Sequence, residues 1–160
     1  MKKIAIIEIL GGLGNQLFQL AFANYLKKNN VRVLISTNIL KKVKNEKNPV
    51  IARRDLAFPL NYFGLHNINY FLYKFLKLIK KLKISVFLNK ATGKKIFGYA
   101  NQDKFNLNNL YLINEYYGYW QKSEFLLESK DFLVQALSNE KSIQQALLSK
   151  PVKGSTALHI

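Results

Sequence analysis

Residues 11–16 have the types and the spacing that could bind an anionic ligand. Gly11, Gly12 and Gly14 lie among them, and the carboxamides Asn15 and Gln16 follow directly. Glycine allows positive φ and lets a ligand approach main-chain N–H groups, while the start of a helix adds partial positive charge at the same point. This chemistry suits a phosphate or a sugar nucleotide. Glycines in a strand-to-helix turn can also serve turn geometry alone, and the pattern by itself leaves both interpretations open.

The elements around this turn indicate an α/β fold. Residues 3–9 predict a strand, 15–29 an amphipathic helix and 31–36 a second strand, which together open a βαβ unit. A chain of 160 residues that is 49% hydrophobic can bury a substantial core. Further along, the pattern predicts a helix at 70–83, an apolar run at 84–88, strands at 96–99 and 111–113, a polar loop at 101–109, and helices at 123–138 and 142–149.

A second segment of interest contains four aromatic residues in succession around one glycine, at positions 116–120, followed by Gln121. Aromatic rings with polar tips stack on sugar faces, and a carboxamide can reach a substrate hydroxyl. The segment could therefore line an acceptor groove. The alternative is that its rings pack into the core or against a sheet edge.

Several strings resemble one enzyme family. GGLGNQLFQLAFANYL at 11–26 is very similar to the N-terminal motif of the family 11 glycosyltransferases, the α-1,2-fucosyltransferases. RDLAFPLNYFGL at 54–65 resembles a family stretch loosely, whereas LINEYYGYWQKSEF at 112–125 resembles the family's Gly-Tyr-Trp-Gln-Ser segment more specifically, with Lys122 inserted before the serine. TALHI at 156–160 resembles the strand that leads into the family's His-x-Arg-Arg-Gly-Asp motif, whose arginines and aspartate are absent here.

The resemblance implies a Rossmann-like parallel-sheet lobe of a two-lobed, GT-B-type enzyme at residues 1–154, with 155–160 opening a donor-binding half. It also implies inverting transfer of fucose from GDP-fucose to a galactose-containing glycan or lipid-linked oligosaccharide. The family's arginine pair is implied to hold the pyrophosphate, so we expect the 160-residue chain to be inactive alone. The implied donor-binding residues are Gly11, Gly12, Gly14, Asn15, Gln16 and His159, and the implied acceptor-binding residues are Tyr117, Tyr119, Trp120 and Gln121.

The catalytic base cannot be assigned from these residues. Glu8, Asp103 and Glu115 are candidates, and each can also be explained as structural. A dinucleotide site is disfavoured because Leu17 stands where the third glycine belongs, and the second predicted strand is followed by no acidic residue. With no cysteine and two histidines, we expect neither a metal site nor a cofactor.

The net charge of +16 raises nucleic acid as a partner, but only three of the 25 basic residues are arginines and no nucleic-acid-binding motif is visible. We therefore attribute most of the charge to solvated lysines and expect no nucleic-acid partner. The segment at 70–83 interleaves lysines with apolar residues at helical spacing. It predicts either an ordinary helix that packs on the core or one that lies on an anionic membrane surface.

The apolar run near the N terminus does not read as a signal peptide, because Glu8 interrupts it and no small-residue cleavage site follows. No stretch approaches the ~20 uninterrupted apolar residues that a spanning helix needs. We expect a cytoplasmic protein, in one interpretation peripheral on the inner face of the membrane. Two other classes stay open: a carbohydrate-binding module without catalysis, and a basic domain that binds anionic polymers or membranes.

Overall fold

The computed structural model describes residues 2–40, 56 and 58–138. Short 3-10 helices occur at Leu60–Phe63, Gln102–Lys104 and Leu107–Asn109. The strands of the described residues are β1 (Ile4–Glu8), β2 (Arg32–Ser36), β3 (Phe97–Ala100) and β4 (Ile113–Tyr116). The helices considered below are α1 (Leu13–Lys28), α2 (Tyr70–Lys81), α3 (Ile84–Thr92), α4 (Ser123–Glu128) and α5 (Lys130–Leu137).

The four strands form one sheet in the order β2-β1-β4-β3, and within the described residues every neighbouring pair is parallel. β1 is internal, since Ile4 lies opposite Arg32 of β2 on one side and opposite Ile113 of β4 on the other. The predicted α/β class with a parallel sheet is confirmed, and the architecture is consistent with a Rossmann-like lobe. The predicted helix at 142–149, the predicted domain boundary at 154 and His159 lie outside the described residues.

The main core lies on the face of the sheet that α1 covers. Alternate residues of β1, Ala5 and Ile7, point to this face and are fully buried, because successive side chains of a strand point to opposite sides. At the centre of this core, Phe22 of α1 is surrounded by four other aromatic rings, and α4 and α5 pack on α1 from outside. The four rings belong to Phe105, Tyr116, Trp120 and Phe125.

The opposite face of the sheet carries α2 and α3. A partly open cavity of about 320 Å³ lies between these helices and the sheet, and Ile6, Phe97 and Ile113 line it from the sheet side. None of the helices formed by the described residues has both the length and the apolar character needed to cross a bilayer.

Four local predictions differ from the structure. The apolar run at 84–88 is part of the helix α3, and the predicted strand at 111–113 begins two residues later as β4. The predicted helix at 123–138 is divided at Ser129, whose φ of −110° lies outside the helical range and whose hydroxyl binds the carbonyl of Ala21. The polar loop at 101–109 contains two 3-10 turns.

Candidate functional site

The sheet topology brings together the two segments that the sequence singled out. The glycine-rich turn follows β1 and the aromatic segment follows β4, and these strands are parallel neighbours. Their carboxyl ends therefore lie at the same edge of the sheet, which is where open α/β sheets bind ligands. The two segments meet although about 100 residues separate them in the sequence.

Side-chain carboxamides join the two segments. Gln121 Nε2 donates a hydrogen bond to Asn15 Oδ1 at 2.8 Å, near the N terminus of α1. Beneath this contact, the buried Gln19 donates through Nε2 to the carbonyl of Gly118 at 2.9 Å and accepts from the N–H of Leu10 at 3.1 Å. Gln19 thus fixes the turn and the aromatic segment relative to each other. Sequence reasoning missed this role, although Gln19 lies one helical turn after Gln16 within the same motif.

The turn itself depends on one glycine conformation. Gly11 has a φ of +80°, and a Cβ added there would lie 2.7 Å from Asn15 Nδ2 and 3.0 Å from Tyr119 Cε1. Gln16 is buried and donates through Nε2 to the carbonyl of Gly11 at 3.0 Å. Gln16 therefore supports the turn from inside the protein. Glycine is required at position 11 both for the backbone conformation and for the close approach.

The other two glycines do not have the positive φ that the sequence suggested. Gly12 is extended and is the N-cap of α1, while Gly14 lies within the first turn of that helix. No side chain caps this N terminus and its first turn contains no acidic residue. Gly14 is exposed, and a Cβ added there would meet no atom within 4 Å. The start of α1 is therefore open on the side of Gly14, so a ligand could approach its amide groups.

The aromatic segment is divided between surface and core. Tyr117 and Tyr119 are 44% and 43% exposed, and Gln121 is exposed beside them. Trp120 is fully buried and stacks on Phe22 with ring centroids 4.0 Å apart. The prediction that Trp120 contacts an acceptor is therefore corrected, because its side chain belongs to the core. Its φ of +59° turns the chain so that Trp120 points inward between the exposed neighbours.

Of the three carboxylates considered as bases, two lie on the opposite face of the sheet. Glu8 is 1% exposed and accepts from Ser36 Oγ at 2.7 Å and from Tyr73 Oη at 3.1 Å, with Lys77 Nζ 3.8 Å away. Glu115 forms ion pairs with Lys77 and with Lys80, the second at 3.2 Å. Both carboxylates are thus occupied in holding α2 on the sheet.

Asp103 has a different position. It is exposed in the 3-10 helix Gln102–Lys104, and Oε1 of the preceding Gln102 accepts from the N–H of Gln121 at 2.9 Å. Asp103 is therefore exposed in an element that is hydrogen-bonded to Gln121, whereas Glu8 and Glu115 are covered by α2.

Burial affects the ionisation of the charged groups beneath α2, which are Glu8, Glu115 and Lys77. Burial raises the pKa of Glu8, and hydrogen bonds from Ser36 and Tyr73 and the charge of Lys77 offset this only in part. Burial alone would lower the pKa of Lys77, but its hydrogen bond and attraction to Glu115 raise it overall. The two lysines that line the cavity under α2, Lys77 and Lys80, both form ion pairs with carboxylates of the sheet. This cavity therefore offers a phosphate no unpaired lysine.

Among the described residues, no group of three or more His, Asp or Glu side chains has the geometry of a metal site. Comparisons with protein-family models, with curated proteins and with solved structures found no significant match. The family resemblance therefore rests on the quoted motifs alone, and the function drawn from it is a proposal.

Proposed function

We propose that this chain is the N-terminal, acceptor-side lobe of an inverting α-1,2-fucosyltransferase that uses GDP-fucose and a galactoside acceptor. The observation that supports this most strongly is the contact between Asn15 and Gln121 at 2.8 Å. It joins the glycine-rich turn to the aromatic segment, and these are the two segments with the most specific resemblance to the family. Their meeting at the carboxyl edge of a parallel sheet is the arrangement that a shared substrate site requires.

The proposed roles follow from the exposure of each group. The amide groups of the first turn of α1, next to Gly12 and Gly14, face the diphosphate of the donor, where the helix terminus favours negative charge. Tyr117 and Tyr119 present partly exposed rings for the apolar face of a galactose unit. Gln121 is exposed between these groups and hydrogen-bonds a sugar hydroxyl.

In the proposed reaction an acceptor hydroxyl oxygen forms a bond to the anomeric carbon of fucose while the bond from that carbon to the phosphate oxygen breaks, so GDP leaves. The hydroxyl proton passes to a base or to water. Glu8 and Glu115 are engaged with α2, whereas Asp103 is exposed and the preceding Gln102 accepts a hydrogen bond from the N–H of Gln121. Asp103 is therefore our candidate for the group that receives the proton.

Ligand binding to the 160-residue chain tests this proposal. The sequence has one tryptophan, and Trp120 lies next to Tyr119 and Gln121, so its fluorescence reports on the site. We expect GDP-fucose and a galactoside to bind, and UDP-galactose to bind more weakly than GDP-fucose. Gln121→Ala weakens binding, whereas Asn61→Ala, which removes an exposed carboxamide from the 3-10 helix Leu60–Phe63, leaves it unchanged.

Ligand-observed NMR provides the second readout. Absence of binding of both GDP-fucose and the galactoside by both methods, or equal losses for Gln121→Ala and Asn61→Ala, would contradict the proposal. Glycan binding that does not respond to GDP would instead identify a carbohydrate-binding module without a donor site.

A further inference from the structure

Helix α2 has its apolar stripe on the outside. Phe71, Phe75, Leu78 and Leu82 follow one another at the spacing of one helical face, and they are 80%, 58%, 51% and 58% exposed. A helix that simply covers a protein core buries such a stripe. The interpretation of residues 70–83 as an ordinary core-facing helix therefore does not describe this side of α2.

The side of α2 that faces the sheet carries the buried Ile79 together with polar side chains that reach the sheet. Tyr73, Lys77 and Lys80 share the face about opposite the stripe, and all three reach the carboxylates Glu8 or Glu115. Because these hydrogen bonds and ion pairs hold one face of α2 against the sheet, the rotation of the helix about its axis is fixed. The apolar stripe is consequently held outward.

The next helix also carries exposed apolar side chains. Lys83 has a φ of +55° and joins α2 to α3, and the two helices contact each other. On α3, Val86 and Phe87 are 65% and 69% exposed. The exposed stripe of α2 and these two residues are together called the apolar patch below: Phe71, Phe75, Leu78, Leu82, Val86 and Phe87.

The positive charge around the apolar patch favours an anionic partner. Residues 70–92 contain six lysines and no Asp or Glu, so the charge of these helices is uniformly positive. A second copy of this chain, whose net charge is +16, would be repelled. The segments 41–55 and 139–160 also carry more Lys and Arg than Asp and Glu, which disfavours them as a cover for the apolar patch.

We propose that the apolar patch docks on an anionic lipid bilayer, with α2 lying in the plane of the membrane interface. Aromatic and leucine side chains enter the acyl boundary, while Lys74 and Lys81, which lie together along one side of the stripe, meet acidic headgroups. Helices with an apolar face and a lysine-rich polar face bind membranes in this manner. The inference does not depend on the proposed function, since it uses neither the glycine-rich turn nor the aromatic segment.

Vesicle co-sedimentation tests the inference with matched variants. The wild-type chain is mixed with vesicles of phosphatidylcholine, or of phosphatidylcholine and phosphatidylglycerol, at low and high salt. Phe71→Ser with Phe75→Ser removes apolar side chains from the patch. The control, Leu127→Ser with Val134→Ser, removes apolar side chains of α4 and α5 that are similarly exposed, at 74% and 59%. All of these changes are at exposed positions, and circular dichroism checks the fold.

We expect binding to the anionic vesicles only, with a steep loss at high salt. The Phe71 and Phe75 changes weaken binding roughly tenfold or more, and the control pair leaves it unchanged. Lys74→Gln with Lys81→Gln keeps the apolar stripe and weakens binding about 30-fold, since each lysine near an anionic surface contributes about fivefold. Lys104→Gln with Lys130→Gln is the charge control. Lys104 lies in the connection between β3 and β4 and Lys130 lies in α5, so we expect this pair of changes to have little effect on vesicle binding.

Several results would overturn the inference. These are absence of vesicle binding, equal binding to neutral and anionic vesicles, or patch variants that bind as well as their controls. Sedimentation velocity gives a further check: a dimer that Phe71→Ser with Phe75→Ser abolishes would identify a second copy of the chain as the occupant.

Discussion

Alanine substitutions at Gly11 and Gly14 should change the stability of the protein in opposite directions. At Gly11 an alanine has to adopt a φ of +80°, which costs about 1–2 kcal/mol. Its Cβ would also lie 2.7 Å from Asn15 Nδ2, so Asn15 has to move away from Gln121. Loss of that hydrogen bond costs about 1 kcal/mol. We therefore expect Gly11→Ala to lower the free energy of unfolding by about 2–3 kcal/mol.

Gly14 lies in helical backbone and has free space around it. An added Cβ meets nothing within 4 Å, and alanine is a better helix former than glycine by up to about 1 kcal/mol. Because the position is in the first turn, we expect Gly14→Ala to raise the free energy of unfolding by about 0.5 kcal/mol. The same methyl group would occupy the space through which a diphosphate approaches α1. In the proposed function, Gly14→Ala is therefore more stable than the wild type and binds GDP-fucose about tenfold more weakly.

Urea unfolding followed by Trp120 fluorescence measures the first effect, and titration with GDP-fucose measures the second. The denaturant slope should be the same for both variants if only the folded state changes. A Gly11→Ala protein as stable as Gly14→Ala would refute the described turn. A Gly14→Ala protein that binds GDP-fucose normally, while Gln121→Ala does not, would remove Gly14 from the donor site and leave the stability argument intact.

Three further predictions concern groups inside the protein. Because burial raises the pKa of Glu8, the folded state holds the carboxyl proton of Glu8 more tightly than the unfolded chain does. The resulting stabilisation is present below the ordinary pKa of 4.5 and is lost as the pH rises through the pKa of the folded state. Thermal unfolding across this pH range should show a decline in the melting temperature of the wild type that Glu8→Gln lacks. Trp120→Ala removes a fully buried ring stacked on Phe22 and should cost about 3–5 kcal/mol in chemical denaturation, with Tyr119→Ala as the exposed control. Gln19→Leu leaves the carbonyl of Gly118 and one backbone N–H without their partner and should cost about 2–4 kcal/mol, and a value within error of the wild type would show that Gln19 does not clamp the two segments.

The sequence predicts the elements of this fold best where local patterns are strong. β1, the turn, α1 and β2 lie within two residues of their predicted bounds, because strand alternation, glycine and helical periodicity all agree there. The helix α3 was missed since its first five residues include Ile84 and Val86, whose β-branched side chains also suit a short buried strand. Its lysine at position 83 adopts a left-handed conformation that no local pattern indicated.

The candidate site shows a different limit. The sequence identified both segments of the site as candidates for ligand binding. Only the position of β4 between β1 and β3 brings these segments together, and the order of the strands is a property of the whole sheet. The sequence pattern also does not predict which rings of the aromatic segment are exposed. Tyr119 and Trp120 are adjacent and chemically similar, yet the positive φ of Trp120 places one ring outside and the other in the core.

Helix α2 explains why amphipathic periodicity alone does not determine which face of a helix is buried. The periodicity identifies a stripe and an opposite polar face, and the usual inference buries the stripe. Here the sheet face beneath α2 carries Glu8 and Glu115, two acidic groups that require cationic or hydroxyl partners when they are covered. Lys77 and Tyr73 meet that requirement, so the side of α2 that carries them and the buried Ile79 faces the sheet, and the apolar stripe is left outside. The covered carboxylates on the sheet and the exposed stripe on the helix are thus two consequences of one arrangement, and we expect replacement of Glu8 and Glu115 together by leucine to weaken the binding of α2 to anionic vesicles.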